Sequence, residues 1–131
     1  MNENDTFVWI QLKNCDGEAR ILRPRDTTSI ARIHSGWLIK FTHFHGKSSS
    51  LTSQAMAFVP DPSHEWQTEF DSQRWERLSR KANVNYGDTT DRMRAWQGWI
   101  YKNCFFNGND EMHISIIFAP EDTVVGNERE K

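Results

Sequence analysis

GDTTDRMRAWQGWIYKN, from Gly87 to Asn103, restates an earlier stretch of the same chain, DTTSIARIHSGWLIKF from Asp26 to Phe41. Aligned without gaps at an offset of sixty-two, the two share Asp26/Asp88, Thr27/Thr89, Thr28/Thr90, Arg32/Arg94, Gly36/Gly98, Trp37/Trp99 and Lys40/Lys102. Identities of this number could arise by chance, so the flanks decide. Downstream, AFVPD (Ala57 to Asp61) faces IFAPED (Ile117 to Asp122) at an offset of sixty. Upstream, Trp9-Ile10-Gln11-Leu12 faces Trp75-Glu76-Arg77-Leu78 at an offset of sixty-six. Three landmarks in one order, with small length changes in loop-like sequence, identify an internal repeat, and a repeat dictates architecture.

Each copy reads as four short strands. FVWIQLK pairs with RWERLSR, SIARI with TDRMR, GWLIKFTHF with GWIYKNCFF, and QAMAFVP with MHISIIFAP. The runs are rich in β-branched and aromatic residues and are separated by turn residues. Pro60 and Pro120 cannot donate to a ladder and suit strand ends. Asp-Thr-Thr ahead of the second strand reads as a turn, its side-chain oxygens bonding nearby N–H groups. Gly36 and Gly98 read as turn residues, and Trp37 and Trp99 as equivalent buried core positions. The segment Ser63 to Gln73, with Trp66 and Phe70 at helical spacing and Ser63 as N-cap, admits one short helix. The expected fold is thus all-β, a single domain over 1–131 with repeats at about 7–61 and 74–122. Two four-stranded units would form a pseudo-two-fold molecule, either a sandwich or a barrel, and the pattern does not choose between them. The termini MNEND and VGNEREK are expected to fray.

Composition bounds the function classes. The 131 residues are 37% hydrophobic, 12% aromatic and 26% charged, enough for a core that needs no disulfide or metal. A net charge of −2 supplies no broad field for a nucleic-acid backbone, so such binding would need a local basic patch. RPR (Arg23 to Arg25) and RWERLSRK (Arg74 to Lys81) are the candidates, though acidic residues interrupt them. With no membrane-length apolar run and two separated cysteines, Cys15 and Cys104, the expectation is a cytoplasmic protein with reduced thiols.

The chemistry-bearing residues are sparse. His43 and His45 would share one strand face and are weak metal candidates, with His64, His113, Cys104 or Cys15 to complete a site. Their counterparts are Phe105 and Asn107, so the pair belongs to one copy alone. Cys104 sits in an apolar strand, where a thiol is usually inert. No phosphate-binding loop, nucleophile elbow or paired carboxylates mark a reaction, and no cofactor is expected. Arg32, Arg94, Lys40 and Lys102 would hold one anion if they converged near the pseudo-axis. Trp66 and Phe70, aromatics framed by acids, fit anchors for a protein partner, because the copies differ there and in THFHGKSSSLTSQ.

Gly36-Trp37-Leu38 with Phe58-Val59-Pro60-Asp61, and Gly98-Trp99-Ile100 with Phe118-Ala119-Pro120-Glu121, form a repeated pattern across most of the chain. It resembles small uncharacterised bacterial and phage-type proteins with a Gly-Trp strand and a Phe-x-Pro-Asp ending. The resemblance implies a bacterial or phage source and no activity. The residues therefore lead to a non-enzymatic binding module, acting on a protein partner or on a small ligand held between the repeats. The alternatives are a nucleic-acid-binding β domain and a small metal-dependent hydrolase.

Overall fold

A computed structural model describes residues 7–12, 26–45, 50–66, 74–107 and 112–121, with only the backbone at 45 and 50–52. Its elements are β1 (Ile10–Gln11), β2 (Thr27–Ile33), β3 (Gly36–His45), β4 (Ser50–Pro60), β5 (Glu76–Ala82), β6 (Gly87–Ala95), β7 (Gly98–Phe106) and β8 (Met112–Pro120). They form two antiparallel sheets, β1-β2-β3-β4 and β5-β6-β7-β8. The fold is all-β with two four-stranded sheets, no closed barrel and no helix among the described residues. Of the helix expected over Ser63 to Gln73, residues 63–66 form a turn and irregular chain, and 67–73 lie outside the described residues.

Asp-Thr-Thr is strand rather than turn, apart from Asp26, which precedes β2. Thr27 and Thr28 open β2, Asp88 to Thr90 lie within β6, and Thr28 and Thr90 pair with Phe41 and Asn103. The β-branched threonines fit the pleat and gain a ladder partner, which outweighs their turn chemistry. The reversals are His34-Ser35 and Trp96-Gln97, with Gln97 at φ 59. Gly36, at φ 154, permits a backbone that a side chain disfavours, and a Cβ there would strike the Val59 carbonyl. Gly98 is required by close approach instead, since its Cβ would lie 2.5 Å from the Ala119 oxygen.

The repeat persists in strand register. Ile10 opposes Ile30 as Glu76 opposes Arg92, Arg32 opposes Trp37 as Arg94 opposes Trp99, and Trp37 opposes Val59 as Trp99 opposes Ala119. A backbone bond closes the same end of each sheet, Asp61 N–H to Ser35 O at 3.0 Å and Glu121 N–H to Gln97 O at 2.8 Å. Even a side-chain contact recurs: Lys40 Nζ lies 4.1 Å above the Trp9 ring and Lys102 Nζ lies 4.1 Å above Trp75.

The two sheets nevertheless bury opposite faces. In the first sheet the side carrying Ile30, Trp37, Ile39, Phe41 and Val59 is inside, joined by Leu12. In the second, the equivalents of those residues (Arg92, Trp99, Tyr101, Asn103, Ala119 and Leu78) face outward, and the other side, with Met93, Ile100, Lys102 and Ile116, is inside. Leu12 is 3% exposed and its counterpart Leu78 is 44% exposed. A two-fold relation would bring like faces together. These sheets instead meet through unlike faces, so Trp37 is buried while Trp99 is half-buried between Arg92 and Arg94, 3.9 and 5.0 Å from its ring. Alternation along each strand makes the two faces chemically independent, and the faces chosen are those that are more apolar in each copy.

Between the sheets, Trp75 donates from Nε1 to Thr28 Oγ1 at 2.9 Å and sets its ring edge-to-face with Phe41 at 6.4 Å. Lys102, nearly fully buried, projects over Phe41 at 3.6 Å and lies 3.7 Å from Asp91, which also bonds Arg77. Such a lysine is tolerated in a core because ring faces and a carboxylate replace its hydration. β4 and β8 are the strands of closest approach between the sheets, and Ser53 Oγ donates to the Met112 carbonyl there.

Candidate functional site

The site grows from Asp61, the acid of the repeated Phe-x-Pro-acid ending. Following Pro60, it leaves β4 buried, and its carboxylate organises the next five residues. Oδ2 accepts from Trp37 Nε1 at 2.8 Å and from Trp66 N–H at 2.9 Å, while Oδ1 accepts from Glu65 N–H at 2.9 Å. Asp61, not Ser63, thus caps this segment. Burial alone would raise its pKa, but the bonds from Trp37, Glu65 and Trp66, with His64 nearby, outweigh it and hold Asp61 below the usual carboxylate value.

This cap fixes Trp66. Its ring meets Trp37 edge-to-face at 6.1 Å and it is only 8% exposed. The exposed anchor expected at Trp66 is therefore mainly a core residue, because its backbone is drawn inward by Asp61. His64, at φ 53, bonds the Ile33 carbonyl from Nε2 at 2.7 Å, leaving Nδ1 to accept from Arg32 at 3.3 Å.

Trp66 forms one wall of a cleft of about 560 Å3 whose other walls come from the second sheet: Arg94, Ala95, Trp96, Gln97 and Glu121. The β6–β7 turn projects half-buried Trp96 beside it. Arg94 Nη2 donates to Glu121 Oε1 at 2.7 Å, with side chains 50% and 45% exposed. The cleft thus lies between the two copies and offers indole surface beside one group of each sign.

Of the residues singled out in the sequence, Trp66 and Arg94 meet in this cleft, whereas Phe70 lies outside the described residues. The four repeated cations do not converge on one anion. Lys40 lies on the outer side of the first sheet over Trp9, Lys102 is in the core, Arg32 is at His64 and Arg94 is at Glu121. Face inversion separates each pair of equivalents. His43 is buried with Nδ1 2.7 Å from Asp26 Oδ1, and the His45 side chain lies outside the described residues. Among the described residues no three His, Cys, Asp or Glu side chains gather as a metal site. Half-buried Cys104 packs against the core. In the basic stretch 74–81, Arg77 bonds Asp91, and neighbouring Arg92 bonds Glu76 at 2.9 Å.

Trp96, Gln97, Glu121 and the organising role of Asp61 escaped the sequence reading. A signal existed: Trp96-Gln97 stands where copy one has His34-Ser35, a difference inside the best-matched stretch. No family model matches the chain, and no curated protein or solved structure matches it either.

Proposed function

We propose that this chain is a non-enzymatic binding module that takes a short segment of a protein partner into the cleft between its two repeats. One observation carries this reading: Trp66 and Trp96, from different halves, line a cleft of about 560 Å3 beside the Arg94–Glu121 pair. That volume falls within the range of recognition pockets, and indole with arginine is the composition of binding hot spots. The occupant this chemistry suits is an apolar or aromatic side chain flanked by polar backbone or a carboxylate. Support for binding over catalysis comes from the titratable side chains, since Asp61, Asp91 and His43 are each engaged in structural bonds. Nucleic-acid binding draws less support, because Arg92 and Arg94 are already bonded to Glu76 and Glu121.

Peptides selected from a random display library against the folded chain test the proposal. We expect the selected peptides to share an apolar or aromatic residue and to bind about tenfold more weakly to Trp96→Ala, measured at a temperature where the variant's far-UV circular dichroism matches that of wild type. Trp96 is the residue to change, since it is half-buried against the core whereas Trp66 lies inside it. Selected peptides that ignore Trp96→Ala would place recognition elsewhere and remove the cleft as the site.

A further inference from the structure

Among the described residues no strand packs on the outer side of the first sheet, where Ala31 and Thr42 are buried but much of the β4 edge is exposed. Position for position, Trp9, Ala31, Leu38, Lys40, Met56 and Phe58 correspond to Trp75, Met93, Ile100, Lys102, Ile116 and Phe118, which line the interior side of the second sheet. Met56 is 54% exposed and Phe58 41%, and Phe7, 43% exposed, stands against Trp9. The outer side of the second sheet, in turn, corresponds to the side of the first sheet that packs inside. It carries Trp99, Tyr101 and Ile117, the last 60% exposed. Inside the molecule, the first type of face already mates with the second.

We propose that this chain stacks head-to-tail on further copies of itself, the outer face of the first sheet packing against the outer face of the second sheet of the next copy. The occupant is a second copy because the molecule contains the template. The internal contact joins unlike faces and leaves one face of each type uncovered by the other sheet, and such a heterologous contact can repeat from copy to copy. A specific bond can be carried across: Trp75 Nε1 donates to Thr28 Oγ1 internally, and the equivalents Trp9 and Thr90 have the same identities on the two open faces.

Size and charge make the contact weaker than its internal counterpart. β2, β3 and β4, with 7, 10 and 11 residues, present roughly 450 Å2 of projected face at about 3.3 Å per residue and about 4.8 Å between strands. Two such faces reach roughly 900 Å2, the range of transient association. Lys40 has Ser29 across the ladder where Lys102 has Asp91, so its burial is less compensated.

Sedimentation equilibrium from micromolar to near-millimolar protein, with Met56→Lys and Ile117→Lys blocking one face each, tests the arrangement. For the wild type we expect an average mass that climbs past two chains with concentration. Each variant alone should remain a monomer, and an equimolar mixture should yield a species of two chains and no larger. A wild type that is monomeric throughout, which is the result if another part of the chain covers the face, overturns the proposal. So does a mass that stops at two chains, the mark of like-face pairing, or a mixture that stays monomeric. Gln54→Lys and Ser115→Lys, at exposed polar positions on the same faces, give the same readout should either first substitution impair folding.

Discussion

Asp61 sits at the end of a repeated motif, but it does what its counterpart Glu121 does not. Its shorter side chain turns inward to collect the Trp37 indole and two backbone N–H groups, whereas Glu121 reaches out to Arg94. Because its folded pKa lies below the ordinary value of 3.8, Asp61 contributes stability that is present above that value and is lost as pH falls through the folded pKa. Asp61→Asn keeps one acceptor oxygen, turns the other site into a donor and loses the charge, so we expect it to cost about 1–3 kcal/mol at neutral pH. Urea midpoints should show the gap between wild type and variant narrowing as the pH is lowered below 3.8 and Asp61 takes up its proton. A gap independent of pH would mean that the charge on Asp61 contributes nothing. The repeated acid was legible in the sequence; its partners were not, since they depend on how far the chain has turned after Pro60.

At the level of the strand, the paired sequences behave as one unit with two possible insides. GWLIKF and GWIYKN keep the same register and the same Lys-over-Trp contact, yet one buries its odd-numbered positions and the other its even-numbered ones. We expect Trp37→Ala to cost about 3–5 kcal/mol in urea unfolding, as for a core tryptophan that also leaves Asp61 short of a donor. Trp99→Ala, which removes an arginine-flanked ring from the outer face, should cost only about 1–2 kcal/mol. Equal losses at the two positions would contradict the inverted packing. Lys102→Ala should cost about 3 kcal/mol by leaving Asp91 with Arg77 alone, while Lys40→Ala, its repeat counterpart, should fall within about 0.5 kcal/mol of wild type. The polar replacements in the second copy, Arg92 for Ile30 and Asn103 for Phe41, hinted at this inversion. Repeat identity at Trp37/Trp99 obscured it.

For the molecule as a whole, the number of strands and their division into two four-stranded units were legible in the amino acids, because alternating apolar runs are separated by turn residues and recur in both copies. The repeat carried that reading from one copy to the other, and the helix admitted over Ser63 to Gln73 reflected Trp66 and Phe70 spacing with no knowledge that Asp61 would cap the turn first. The sheet-to-sheet relation belongs to a different order of information. A strand pattern specifies two faces but not which one meets the partner sheet when both carry apolar residues, as the first copy does with Ile39 and Phe41 on one side and Leu38 and Phe58 on the other. The cleft between Trp66 and the β6–β7 turn depends on that choice, because its walls come from different sheets. Local ladders, then, were determined by sequence through short-range backbone pairing and side-chain alternation. Which faces are buried, and with them the cleft, was decided only in the tertiary structure, by competition between whole faces for removal from water.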